Sequence, residues 1–405
     1  MFKNIFHRVL LRRHFWRHAT LGEVAELYVS RMLRLSAVNI VGAFMSIYLF
    51  QIGYSVSQIG FFWAAFYIFK ACISLLCARI IAKIGPKHAT LMANISYIPA
   101  VVAFALLPQY GDWLLPVIIV FQGFSITLYT IAYNVDFSKV KNAEHAGKEI
   151  AYMHILEKLT TGLSPVIGGL VAFFAGPQAT LILSSILFAF AAAPLLRTPE
   201  PVKTRQKLSY KGFPWRLYFK QAPAQLALGF DVASAGNIWS MYTAILIIGV
   251  SAANDVYLIS GILTSVIFFA ALIASYVYGK IIDRKHGREL MMAGAVANSL
   301  THFIRPFTNN TVPVAGVNAV HEMAATGYTL PYLRGMYDNA DLSGKRREYL
   351  GLIEITGNVG AALASATLGF FAMYAGHEFA LRYFFFIAGA VGLLMLTVRY
   401  PLYKR

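Results

Sequence analysis

The sequence predicts an all-α membrane protein, with twelve spanning helices in two related bundles of six. Three observations carry this. The chain has 405 residues, 58% hydrophobic and only 13% charged. Apolar runs near the roughly 20 residues that cross a bilayer recur along its whole length. The chain also repeats itself: Gly147-Lys148, Tyr152 and Glu157 return as Gly344-Lys345, Tyr349 and Glu354, while Tyr129-Thr130 and Tyr133 return as Tyr328-Thr329 and Tyr332. A hydrophobic chain built from two copies, each with an acid inside an apolar stretch, points to a transporter made of paired bundles.

The spans follow in order from the runs and the turns between them. The first (35–52) ends at the uncharged turn 53–55, and the second (56–81) at a turn holding Arg79, Lys83 and Lys87. The third (88–107) reaches the turn 108–112. The fourth (114–135) precedes Lys139, Lys141 and Lys148, and the fifth (150–174) and sixth (178–196) flank an uncharged turn. A polar, basic stretch, 198–222, then divides the chain. Beyond it the second half runs 223–249, 254–279, 289–307, 312–333, 349–374 and 379–400, with basic turns at Lys280 to Arg288 and at Lys345 to Arg347. Four parts result: a basic N-terminus (1–20), a bundle (21–197), the linker (198–222) and a second bundle (223–405).

A formal charge of +17 raises the question of nucleic acid. The basic residues crowd every second turn and leave the alternate turns bare, which is the positive-inside pattern of a membrane protein and not a basic face on a soluble fold. Nucleic-acid binding is excluded on that ground. Both termini and the linker are expected in the cytoplasm, and a multi-pass bacterial inner-membrane location follows. Residues 1–20 are too basic and interrupted for a secretory signal. They read equally as an interfacial helix or a basic tail. Cys72 and Cys77 lie five residues apart on one helix, on different faces, so no bond between them is expected. No phosphate loop, zinc-spaced set or nucleophile elbow occurs, so no enzyme activity and no cofactor or metal is implied.

Local motifs carry a family resemblance. Gly279-Lys280-Ile281-Ile282-Asp283-Arg284-Lys285-His286-Gly287-Arg288 resembles the loop signature Gly-x-x-x-Asp-Arg-x-Gly-Arg of the major facilitator superfamily, with one residue inserted. The matching turn 78–87 keeps Lys83, Gly85 and Lys87 but has Ala82 for the aspartate. Ser164-Pro165-Val166-Ile167-Gly168-Gly169 is similar to the family's Gly-Pro-x-x-Gly-Gly, and Gln122-Gly123 to part of its drug-antiporter pattern, though Ile119 replaces the arginine there. The resemblance implies a twelve-helix fold and secondary transport without an ATP cassette. It makes Gly279, Asp283, Arg284, Gly287 and Arg288 a cytoplasmic gate. It places spans 3, 6, 9 and 12 outside and the other eight around a central pathway. Pro165, Gly168 and Gly169 are expected to bend the fifth span, because proline removes a backbone bond and glycine allows close approach.

Ionisable residues sort onto the pathway spans: Lys70, Glu157, Lys158, Asp231, His321, Glu322 and Glu354. The exceptions, His302 and Arg305 of the ninth span, are expected near its outer end, with Arg305 snorkelling or pairing across helices. His321, Tyr328 and Tyr332 share one helical face, as do Gln122, Tyr129 and Tyr133, and the two faces are read as facing walls of one cavity. Glu157, followed by Thr161 and Ser164, and Glu354, followed by Asn358, stay open between proton sites and structural pairs with Lys158, Lys70 or loop arginines. Lys70 is a counter-ion or a receiver of an anionic group, and His321-Glu322 a protonation site. The expectation is a monomeric, proton-coupled transporter of a small organic solute. The alternatives are an exporter of lipids or amphipathic compounds, and a non-transporting membrane sensor or assembly factor.

Overall fold

A computed structural model describes residues 21–42, 44–140, 146–196, 208–249, 255–284 and 286–404, with the side chains of 21–28, 136–140, 146–155, 196, 268, 269, 283 and 404 outside that description. Twelve successive helical bodies traverse the described chain, and no strand occurs among the described residues. In the first half they are Leu21–Gly42 continued by Met45–Gln51, then Val56–Ile84, Pro86–Tyr110, Leu114–Val140, Ala146–Ala175 and Pro177–Ala192. A short helix, Trp215–Phe219, lies in the linker. The second half runs from Ala222 to Ile248 in four consecutive pieces, then Asp255–Asp283, Gly287–Ile304, Thr311–Leu342, Arg346–Ala375 and His377–Gly392. They are called spans 1 to 12 below. Their ends define a linker side and a far side.

Among the described residues, nine of these bodies are long and apolar enough to cross a membrane. Spans 7, 9 and 10 fall short, because each carries polar or charged residues along its length. The outer surface is apolar, with Ile68, Ile95, Ile182, Ile273, Leu300 and Phe370 all exposed. In lipid such a surface costs nothing, and the helices satisfy their own backbone groups.

Local signals explain the helix boundaries. Ser55 caps span 2 by accepting from the Gln58 amide at 3.2 Å, while its own amide donates to Gln58 Oε1 at 2.8 Å. Asn310 caps span 10 in the same sense, accepting from the Val312 amide at 3.1 Å. The turns after spans 5 and 11 each use a glycine at positive φ, Gly176 (85°) and Gly376 (84°), so the repeat extends to the turn chemistry. Span 7 is irregular: α-helix to Ala233, π-helical turns over Ser234–Ile238 and Thr243–Ile248, and one α turn between them. π turns of this kind gather at functional places in helices.

The two halves form separate lobes that meet mainly along spans 5 and 8 and along spans 2 and 11. Small residues let the backbones approach. A Cβ on Gly60 would lie 2.8 Å from the Gly369 backbone, and one on Gly169 would lie 2.8 Å from the Tyr257 carbonyl. Within each lobe the first and fifth helices lock in the same way. A Cβ on Gly168 would meet the Ile40 carbonyl at 2.5 Å, and one on Gly229 the Gly357 carbonyl at 1.9 Å. Span 5 is continuous through Pro165, and its glycines serve these contacts.

Hydrogen bonds join the lobes at both ends. On the far side Ser57 Oγ donates to the Gly369 carbonyl at 2.9 Å, and the Tyr257 hydroxyl donates to Gln51. On the linker side the Tyr337 hydroxyl donates to Asn134 Oδ1 at 3.0 Å.

Candidate functional site

Charged side chains gather at the boundary between the lobes, and they pair across it. Lys158 Nζ of span 5 lies 2.6 Å from Glu322 Oε1 of span 10. Lys70 Nζ of span 2 lies 3.7 Å from Glu354 Oε1 of span 11, with the Tyr67 and Phe66 rings 5.4 and 5.7 Å away. In both pairs the first lobe supplies the cation and the second the carboxylate. Each acid has a second tether on its own helix: Thr326 Oγ1 donates to Glu322 at 3.2 Å, and Asn358 Nδ2 to Glu354 at 2.9 Å. In an ion pair taken from water, the partner's attraction offsets much of the desolvation cost, so separating the lobes leaves four charges needing water, a proton or a ligand.

The first lobe holds a second cluster that sequence reasoning missed. Span 1 begins at Leu21 and not near 35, which carries Arg31 and Arg34 into the bundle. Arg31 donates to Glu157 Oε1 through Nε (2.9 Å) and Nη2 (2.5 Å), and to the Tyr129 hydroxyl through Nη1 (3.1 Å). Tyr133 also donates to Glu157 at 3.1 Å, with its ring 3.3 Å from the guanidinium carbon. Among the described residues Glu157 is thus paired with Arg31, and not with Lys158, Lys70 or a loop arginine.

Arg34 is 2% exposed, and its hydrogen-bond partners among the described residues are neutral. It donates to Asn94 Oδ1 (2.7 Å) and to Ser125 Oγ (3.0 Å) and carbonyl (3.2 Å), beneath the Tyr129 ring at 4.0 Å. Delocalised charge and a planar fork suit a guanidinium to such a site of neutral acceptors and aromatic faces.

The second lobe inverts this pattern. Asp231 of span 7 accepts from Asn298 Nδ2 at 2.9 Å and sits 2.5 Å from His302 Nε2, both on span 9. Arg305 Nη1 lies 3.0 Å from His302 Nδ1, and its guanidinium carbon 4.6 Å from the centre of the Trp239 ring. His302 and Arg305 lie at the far-side end of span 9, as expected, but buried and turned inward, so that Arg305 pairs within the lobe and does not snorkel. Asp231 draws them in, because a buried carboxylate needs donors.

Partners fix the tautomers. Arginine only donates, so His302 Nδ1 accepts and Nε2 carries the proton given to Asp231. The Thr301 hydroxyl donates to the Asn298 carbonyl at 2.7 Å, so His321 Nδ1 donates to Thr301 Oγ1 at 3.2 Å, leaving His321 Nε2 with a free lone pair. Ligand atoms of Asp231, His302 and His321 lie within 4.8 Å of one another, a spacing a metal ion could bridge. Arg305 opposes that use: it holds the proton on the very nitrogen that would have to coordinate, and places a fixed positive charge beside it. Asp231 and His302 are hydrogen-bonded to each other, and the His321 ring stands beside them, 5.4 Å from that of His302.

The predicted walls are packed inside their lobes. Gln122 is 3% exposed and donates to the Tyr97 hydroxyl at 3.0 Å. Tyr328 and Tyr332 are each 1% exposed and stack at 5.3 Å; Tyr332 accepts from Gln221 at 2.7 Å and donates to Gln225. Tyr129 and Tyr133 stack at 6.2 Å against the arginines of span 1. Adjacent on their helix, His321 faces span 9 while Glu322 faces the other lobe, as neighbours about 100° apart must. Of the turn after span 8, Gly279 is buried within that span, Arg284 and Arg288 are exposed, and Gly287 is buried beneath the Tyr403 ring. The side chain of Asp283 lies outside the described residues, as do residues 1–20.

Comparisons with known proteins agree with this architecture. No curated protein is similar to the chain by sequence. The fold is similar to the human organic anion transporter MFSD10 (TETRAN), with a TM-score of 0.66 and 11% identity over 92% of this chain and 98% of that one. It is also similar to the transporter FucP in its outward conformation, with a TM-score of 0.64 and 14% identity over 92% and 97% of the two chains. A variant of the E. coli fucose:proton symporter FucP gives 0.63 and 13% identity over 93% and 98%. The sequence profile of the Major Facilitator Superfamily matches residues 27–297, two thirds of the chain. With its paired six-helix lobes and charged boundary, the chain belongs to the major facilitator superfamily of membrane transporters.

Proposed function

We propose that the chain moves a small organic solute by alternating access and couples that movement to protons. The observation that carries this reading is the 2.6 Å Lys158–Glu322 pair across the lobe boundary. A proton on Glu322 removes the carboxylate charge and weakens the pair, which frees the boundary to open. It also leaves the Lys158 ammonium seeking an anion. Lys158 and Lys70 are then the groups that receive an anionic part of the solute, with Glu354 released from Lys70 in the same opening. Buried acids and their cationic partners inside a spanning bundle are costly to maintain, which supports a working role. The name of MFSD10, an organic anion transporter, and that of FucP, a fucose:proton symporter, are compatible with this chemistry.

In this scheme Asp231, His302 and His321 pass the proton between the second lobe's interior and Glu322. The linker side is cytoplasmic, the turn Gly279–Arg288 acts with the Tyr337–Asn134 contact as the inward gate, and a monomer in a bacterial inner membrane is sufficient. The test uses purified protein in proteoliposomes with an imposed pH gradient, screened with sugars, amines, organic acids and lysolipids. Wild type is expected to accumulate an anionic solute uphill. Glu322→Gln should lose uphill accumulation while retaining solute exchange. Undiminished concentrative uptake by that variant removes Glu322 from coupling, and stimulation by lysolipids alone favours the exporter reading.

A further inference from the structure

A second concave site lies far from the lobe boundary, where spans 9 and 12 reach the linker side. Its wall includes Arg288, Met291, Val398, Arg399, Tyr400 and Tyr403. Arg288 is the second residue of span 9, and Arg399 follows the end of span 12. Both are exposed, and among the described residues neither has a hydrogen bond or ion pair. Span 9 begins without a side-chain cap, so its first amides still need an acceptor. Tyr400, 2% exposed, closes the inner wall of the cleft, its ring packed on Gly335 and 5.7 Å from that of Tyr332. Tyr403 is pinned: its ring closes over Gly287, and its hydroxyl donates to the Pro331 carbonyl at 2.8 Å. Two unpaired guanidiniums beside an uncapped helix start form a site for a phosphate.

The surroundings say which phosphate. Below the cleft, spans 9 and 12 pack closely, with Gly392 against Ser299 and Gly389 against Phe303. Their outer flanks expose Val296 and Leu300 on one helix and Leu393 and Leu394 on the other. A basic cleft at the helix ends, continuous with an apolar flank along the same helices, matches a headgroup above acyl chains. We propose that this cleft binds an anionic phospholipid of the linker-side leaflet, its phosphate held by Arg288 and Arg399 and its chains lying along spans 9 and 12. Surplus positive charge selects a net-negative lipid over a zwitterionic one.

The experiment uses the full chain in neutral detergent, with unfolding followed by temperature while phosphatidylglycerol, phosphatidylcholine or inorganic phosphate is added. Phosphatidylglycerol is expected to raise Tm by several degrees, with little effect from the other two. Native mass spectrometry should show one retained phosphatidylglycerol. Arg288→Gln with Arg399→Gln should lose most of both signals; Arg399→Gln alone should lose part. Arg284→Gln, an exposed arginine outside the cleft, should keep them. The proposal fails if phosphatidylglycerol neither stabilises nor stays bound, if the double variant keeps the full effect, if Arg284→Gln loses as much, or if inorganic phosphate does as well.

Discussion

The two lobes share a framework and oppose each other in charge. Arg34 on the first helix of one and Asp231 on the first helix of the other stand 197 residues apart, the same separation as Glu157 and Glu354. Each is buried, and each bonds an asparagine of its lobe's third helix, Asn94 or Asn298. The packing around them is also duplicated, since glycines lock the first helix to the fifth in both lobes. The difference lies in the partners. Around Arg34 stand neutral acceptors and tyrosine rings; around Asp231 stand two histidines and an arginine. Duplication therefore kept the geometry that assembles a lobe and left the chemistry free to diverge. One lobe buries an arginine among neutral acceptors, and the other buries a carboxylate among histidines. The cross-boundary pairs follow the same polarity, with lysine always from the first lobe.

Breaking this asymmetry at its most buried point should have the largest effect. Asp231→Ala strands His302 and Arg305 without their carboxylate, and is expected to cost about 3–5 kcal/mol, read as a large fall in thermal stability in detergent. Asp231→Asn, which keeps a hydrogen-bond acceptor, should cost clearly less. Next comes the shared framework. Gly229→Val forces a side chain into the Gly357 carbonyl and is expected to cost about 3 kcal/mol, with Gly168→Val in the other lobe close behind. Equal losses would show that the lobes rely on the same contact; a strong inequality would show that only one does.

A smaller effect tests the polarity across the boundary. Lys158→Glu and Glu322→Lys should each destabilise, and the double variant should recover, giving a coupling of about 1–2 kcal/mol in a double-mutant cycle. An absence of coupling would mean that the pair does not hold the lobes together. The smallest effect is expected from Tyr337→Phe. It removes one hydrogen bond to Asn134, worth about 1 kcal/mol, and should show more in cysteine accessibility on the linker side than in Tm.

Much of the fold was legible because membrane spans and internal repeats leave strong marks. Spans 7, 9 and 10 were placed from their apolar runs and turns, although their polar residues leave them short of membrane-crossing composition. Arg31 and Arg34 escaped notice for a physical reason. A charge just before an apolar run reads as a headgroup anchor, and only three-dimensional packing reveals Asn94, Ser125 and Glu157 waiting for it. His302 and Arg305 were placed at the outer end of span 9, where they lie, but their burial was not legible, because an outward helix still turns one face inward. Tyr129 stacks with Tyr133 and Tyr328 with Tyr332, as their helical spacing allows, yet spacing alone does not say whether a face meets a cavity or a neighbouring helix. Pairings such as Lys158 with Glu322, 164 residues apart, follow from how the lobes dock.

The end of the linker is fastened to one lobe. Lys345 Nζ donates to the carbonyls of Ser209 and Lys211, each at 2.5 Å, and the Ser209 amide donates to Glu348 Oε1 at 2.9 Å. This stretch must ride with span 11 whenever the halves rotate. A fluorophore on Lys211, which is exposed, would thus act as a pointer fixed to the second lobe. Paired with a dye on an exposed site of the first, such as Lys83, it turns each opening and closing into a distance readable one molecule at a time.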